Sequence, residues 1–166
     1  MVPVVRGDHR VQMDEPVIDV IEQQDTKPFT PQITVFVCIY CAYMSADTAG
    51  ALRVQYPASV KMVKLPCTGK VDARYLLKAF EQGADGVCVV GCPIGNCHHV
   101  SGNQRAQARV AYVQDLLDDV GLGRDRLGMY FVTGGMGMTY AKVILEMAEK
   151  IQNLGPSPLH RSGEDS

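Results

Sequence analysis

Between Ile33 and Gly155 the chain alternates short apolar, β-branched runs with amphipathic stretches of helical period. "ITVFVC" (33–38), "VKMVKL" (60–65), "GVCVVGC" (86–92) and "RLGMYFVT" (126–133) read as strands. "SADTAGALRVQY" (45–56), "VDARYLLKAFEQG" (71–83), "NQRAQARVAYVQDLLDDVG" (103–121) and "MTYAKVILEMAEKIQNLG" (138–155) read as helices, the last stopped by Gly155 and Pro156. Apolar strands separated by helices demand crossover connections, and crossovers imply a parallel sheet covered on both faces. The expectation is one α/β domain, a doubly wound parallel sheet of about four strands with helices on both faces, over residues 33–156. Before it, residues 1–32 are broken by prolines at 3, 16, 28 and 31 and form an irregular N-terminal extension. After it, residues 157–166 form a flexible tail.

Composition narrows the function classes. A formal net charge of −2 over 166 residues gives no footprint for nucleic acid or an anionic membrane. The start lacks a basic segment followed by an apolar run, and runs such as 87–90 are far too short to span a bilayer. The chain reads as soluble and cytoplasmic. Six cysteines in that setting point to metal ligands, redox chemistry or burial rather than disulfides.

Their positions follow the strands. Cys38 and Cys41 end the first strand, Cys67 follows the second, Cys92 ends the third and Cys97 lies across a short loop. Open parallel sheets place ligands at the carboxyl ends of their strands. Five cysteines from three crossovers therefore converge on one edge, where helix N-termini favour thiolates and anionic clusters. Cys88, inside the third strand, reads as core.

Three chemistries suit such a set. A thioredoxin-like dithiol would use Cys38 and Cys41 and leave three cysteines unexplained. Structural zinc could add His98 or His99, yet a sheet with its own core does not need it. An iron–sulfur cluster, 2Fe–2S or 4Fe–4S, held by four of the five, best explains the whole set, although the spacing matches neither common ferredoxin pattern. Lys70, Arg105 and Arg109 could tune such a centre or be plain solvated charges, and His98 and His99 could donate to sulfur or simply start the next helix. "TGGMGM" (133–138) lacks nucleotide-loop spacing, so its glycines are expected to admit another subunit. Met44, Met62, Met136 and Met138 are candidates for an apolar docking surface. No constellation for hydrolysis or acyl transfer is present, and the chain is expected to have no catalytic site of its own.

The stretches "CIYCAYMSADTAG", "RVQYP", "LPCTGK", "KAFEQGADGVCVVGC", "IGNCHHVSGNQRAQAR" and "NLGP" resemble the delta, or iron–sulfur, subunit family of methyl-viologen-reducing hydrogenase. The resemblance runs from about Ile33 to Pro156. It implies a 2Fe–2S cluster held by cysteines matching Cys38, Cys41, Cys67, Cys92 and Cys97. It also implies an electron conduit between a hydrogenase or other dehydrogenase and a heterodisulfide-reductase-type flavin/iron–sulfur subunit. Two places depart from the family pattern: Pro93 stands where His is usual, and "TGGMGM" replaces a Ser-Glu-Gly-like stretch.

Overall fold

The computed structural model describes residues 29–162, with the side chains of residues 161 and 162 left aside. The N-terminal extension, apart from its last four residues, and the end of the tail lie outside the described residues. Four strands form one all-parallel sheet in the order β2-β1-β3-β4: β1 (Ile33–Cys38), β2 (Val60–Leu65), β3 (Gly86–Gly91) and β4 (Leu127–Phe131). The register sets Ile33 beside Val60 and Gly86, and Val87 beside Leu127. Helices α1 (Ala42–Ala51), α2 (Ala73–Glu81), α3 (Gly102–Asp119) and α4 (Gly137–Leu154) follow their strands in turn. The doubly wound fold expected from the alternation is the one found. The strand order reverses between β1 and β3, which makes their carboxyl ends the switch-point crevice.

Alternation along the strands feeds two cores. One face sends Val35, Val37, Cys88 and Val90 against Ala42, Ala46 and Ala49 of α1 and Tyr140, Ile144, Met147 and Ile151 of α4. The other sends Phe36, Val87 and Val89 against Leu76 and Phe80 of α2 and Val110, Val113 and Leu117 of α3. β3, central and covered on both sides, is buried throughout. Alanines on α1 bring it close to α4: a Cβ on Gly137 would lie 2.6 Å from the Ala49 nitrogen.

Several element boundaries differ from expectation, three of them for evident local reasons. α1 begins at Ala42, not Ser45, because Cys41 already has helical dihedrals and Ser45 donates back to its carbonyl at 2.9 Å. It stops at Ala51 because Arg53 takes a left-handed φ of 55°. Arg126 leads into β4 from a short 3-10 turn (Arg124–Arg126) instead of starting the strand.

The strand-start end of the sheet is closed by polar contacts. Arg126, 5% exposed, donates to the carbonyls of Leu122, Asp85, Gly155 and Pro156 at 3.0–3.1 Å. These include carbonyls just past the C-terminus of α4, which would otherwise be orphaned. The buried Asp85 carboxylate accepts from the backbone N–H groups of Gln32 (2.9 Å) and Ser157 (2.7 Å). The first residues of the expected tail are thus held here, with Ser157 buried and a 3-10 turn over Pro158–Ser162.

Candidate metal centre

At the opposite end, the β1–α1, β2–α2 and β3–α3 connections bring five cysteines together. The Cys67 and Cys97 sulfurs stand 3.9 Å apart. Cys67 also feels the charge of Cys38, and Cys92 that of Cys41, Cys38 and Cys97, so every member of the set interacts with another. Cys88 belongs to the core instead, fully buried among Val90, Tyr140 and Met147, and burial pushes its thiol far above the ordinary range.

Environment separates the five. Desolvation raises Cys67, assisted by Cys97 and Cys38 and opposed by the Gly69 amide, which donates to its sulfur at 3.4 Å. Desolvation and the neighbouring thiols push Cys92 up to about 12. Desolvation acts upward on Cys97 too, but the amides of Asn103, His99 and Gly102, with Cys67, outweigh it and bring the thiol below its usual value. The start of α3 thus supplies hydrogen bonds to a sulfur anion.

Close backbone approach makes this possible. A Cβ on Gly102 would overlap the Cys67 sulfur and come within 3.2 Å of that of Cys97. A Cβ on Gly69 would lie 2.8 Å from the Gly102 Cα. Val100, in the turn between Cys97 and α3, holds a left-handed φ of 63° although β-branched, and its amide donates to the Cys97 carbonyl at 2.9 Å. Such a conformation costs about 1–3 kcal/mol and persists only where the surroundings impose it.

The structure separates the remaining candidates. Arg109 is no solvated helix charge: it donates to the carbonyls of Gly69 (2.6 Å) and Val71 (2.8 Å), tying α3 to the Cys67 loop. Lys70 and Arg105 line a cavity with Cys67. His98 stacks on Tyr40 with centroids 4.1 Å apart, and His99 packs edge-on to both rings. Of the "TGGMGM" glycines, Gly134 faces the Tyr40 carbonyl and Gly137 faces α1, whereas Gly135, at a φ of 84°, has open space beside it. Met44, Met136 and Met138 are exposed, joined by Ile39, Tyr40, Ile94 and Val100, whereas Met62 packs on the core.

Sequence reasoning missed Asn103. Its fully buried side chain donates to the carbonyls of Cys92 (3.0 Å) and Pro93 (2.7 Å), while its backbone amide serves Cys97. One residue thus fixes both ends of the "CPIGNC" loop. A polar residue at the start of the helix that follows Cys97 and its histidines was the available clue.

Among the described residues, no group of three or more His, Cys, Asp or Glu side chains is preformed around one ion position. The sulfurs are gathered without being closed on a point. The donor set nevertheless suits a multivalent cationic centre, because crowded sulfur anions gain most from a positive core. The glycine-lined approach and the amide donors suit a sulfur-rich one.

Comparison with known proteins agrees with the site. Residues 33–155 match the family model for methyl-viologen-reducing hydrogenase, delta subunit. The chain is 44% identical over 129 residues to the iron-sulfur subunit of the vhu F420-non-reducing hydrogenase of Methanocaldococcus jannaschii, covering 78% of this chain and 96% of that one. It is 37% identical over 136 residues to the F420-non-reducing hydrogenase iron-sulfur subunit of Archaeoglobus profundus, covering 82% and 99%. It is also 31% identical over 126 residues to one chain of the ferredoxin/F(420)H(2)-dependent CoB-CoM heterodisulfide reductase of Methanosarcina acetivorans, in which the match takes up only 16% of the length. With the sheet, the gathered cysteines and the match over most of its length in accord, the chain belongs to the methyl-viologen-reducing hydrogenase delta subunit family.

Proposed function

We propose that this chain is the electron-transfer subunit of a larger redox complex. It carries a 2Fe–2S cluster on four of Cys38, Cys41, Cys67, Cys92 and Cys97, and has no reaction of its own. The observation that carries the reading is the convergence of five cysteines from three crossovers at the sheet's switch point, with two sulfurs 3.9 Å apart. A bound cluster would supply one-electron chemistry. The protein's part is to hold and bias it. Amides of Gly69, His99, Gly102 and Asn103 donate to the Cys67 and Cys97 sulfurs, favouring added negative charge. Lys70 and Arg105, beside Cys67, act in the same direction.

The partners follow from the relatives and the surface. Relatives are named as hydrogenase iron-sulfur subunits, which supports a hydrogenase or other dehydrogenase as donor. A matching segment forms part of a heterodisulfide reductase chain, which supports as acceptor a heterodisulfide-reductase-type flavin/iron–sulfur subunit. Exposed Ile39, Tyr40, Ile94, Val100 and Met136, on loops at this end of the sheet, and Met138, in the first turn of α4, suit permanent docking over the cluster. No described helix is long and apolar enough to cross a membrane, and we place the complex in the cytoplasm.

Iron, zinc and acid-labile sulfide, assayed on anaerobically purified protein with EPR before and after dithionite, test the reading. About two irons and two sulfides per chain, with a signal only on reduction, are expected. Zinc without labile sulfide would overturn it.

A further inference from the structure

Cys67 and Cys97 stand 3.9 Å apart at sulfur. Both sulfurs lie against Gly102, that of Cys67 in the space a Cβ would take, and Gly102 lines a surface cavity of about 440 Å³. Cys67, Lys70, His99, Arg105 and Arg109 line the same cavity. Its acid, Asp72, is engaged with Arg74 at 3.1 Å, while Lys70 and Arg105 have no acidic partner among the described residues. The cavity is therefore cationic, with Cys67 in its wall and the Cys97 sulfur 3.9 Å from that of Cys67. Each pair joins a buried cysteine to a half-buried one, Cys38 with Cys41 and Cys67 with Cys97, but of these four Cys67 is the one that lines the cavity.

We propose that in the cluster-free chain Cys67 and Cys97 form a reactive dithiol, which a small anionic disulfide seated in this cavity oxidises to an intramolecular bond. The sulfur of Cys97 attacks one sulfur of the incoming disulfide, forming a mixed disulfide and releasing one small thiol. The sulfur of Cys67 then attacks the Cys97 sulfur and displaces the second. The protein loses two electrons and two protons, and one disulfide becomes two thiols. The cations and the cavity select the charge of the oxidant, and the short sulfur separation drives the second step. Only its consequence rests on the cluster reading: a chain closed in this way must be reduced before those two cysteines can accept iron.

The test uses the full chain, freed of metal, reduced and kept anaerobic. It is treated separately with dithiodiglycolate, which is anionic, and cystamine, which is similar in size and cationic. Each rate of thiol loss is divided by the rate of the same disulfide with mercaptoethanol, which removes differences in intrinsic reactivity. The expected product by peptide mass mapping is a Cys67–Cys97 crosslink, with dithiodiglycolate favoured on the order of tenfold at low salt. The preference should vanish in Lys70→Gln/Arg105→Gln, and Cys67→Ser should stop at a mixed disulfide on Cys97. A crosslink between Cys38 and Cys41, or equal normalised rates in the unsubstituted chain, overturns the proposal. Because these readouts use the metal-free chain, they stand apart from the cluster reading, which fails separately if the reduced chain takes up no iron and sulfide.

Discussion

The two ends of the sheet are finished in opposite ways. At the strand starts, Arg126 and Asp85 are buried charges whose hydrogen-bonding capacity is spent on backbone groups of four separate segments. At the strand ends, sulfurs crowd without closing, the Thr68 hydroxyl is buried without a partner among the described residues, and Val100 holds a strained φ. Apolar side chains stand in solvent around them. The first end fixes where elements begin and end. The second leaves polar and steric needs open, as a site does when it is completed by something the chain must bind. If the sulfur end is the site we propose, stability and function are housed at opposite poles of one sheet, and substitutions should separate them.

The largest separation is expected from Cys92→Ser. Cys92 is buried at the end of β3 and interacts with three other cysteines of the set. Serine is nearly isosteric but binds iron poorly. Iron and labile sulfide should fall close to zero after reconstitution, while far-UV circular dichroism and the urea midpoint of the metal-free chain stay near the parent's. Retained iron would remove Cys92 from the ligand set.

Arg126→Met should do the reverse. Methionine keeps much of the apolar stem and removes the donors to five carbonyls, that of Leu154 at 3.5 Å included. A loss of about 3 kcal/mol in urea unfolding is expected, from the net worth of hydrogen bonds made by a charged group and the cost of stranded acceptors. Iron uptake by the folded fraction should be unchanged. A large loss of iron with little loss of stability would show that the two poles are coupled.

How far each pole was legible in the sequence differs in the same way. The strands, the helix order and the convergence of the five cysteines follow from local patterns, because periodicity and chain order dictate which strand end each cysteine occupies. The roles of Arg126, Arg109 and Asn103 were not legible. Each acts by donating to carbonyls, and a carbonyl is present at every residue, so sequence carries no mark of which ones converge. The Arg109 guanidinium meets carbonyls 38 and 40 residues away. The start of α1 was missed for a related reason: the Ser45 hydroxyl is spent on the Cys41 and Thr133 carbonyls inside the fold, contacts the sequence does not mark.

Gly102→Ala sharpens the contrast at the sulfur pole. Alanine favours helix over glycine by up to about 1 kcal/mol, so propensity alone would stabilise the start of α3. The added Cβ, however, would occupy the space of the Cys67 sulfur. The structure therefore predicts a partial loss of iron and a changed reduced-state EPR line shape, with thermal stability of the metal-free chain little altered. Unchanged iron content and line shape would mean that Cys67 can move aside without consequence, and that its position against Gly102 is not part of the centre.

Ser45→Ala is the smallest expected effect and the most local. Ser45 is fully buried on α1, with its hydroxyl 2.9 Å from the Cys41 carbonyl and 2.8 Å from that of Thr133. One proton serves both acceptors, so at any instant the bond ties the "CIYC" turn to itself or to the loop after β4. Removing it costs about 1 kcal/mol, the usual net worth of a neutral hydrogen bond. Because the Cys41 carbonyl also receives the Ser45 amide at 3.0 Å, it keeps a partner, and the loss falls on the tie to Thr133. The expected result is a small drop in urea midpoint with full iron content, together with faster amide exchange in the loop at residues 133–136. Faster exchange at Cys41 and Ala42 as well would show that the cysteine turn depends on β4 for its shape.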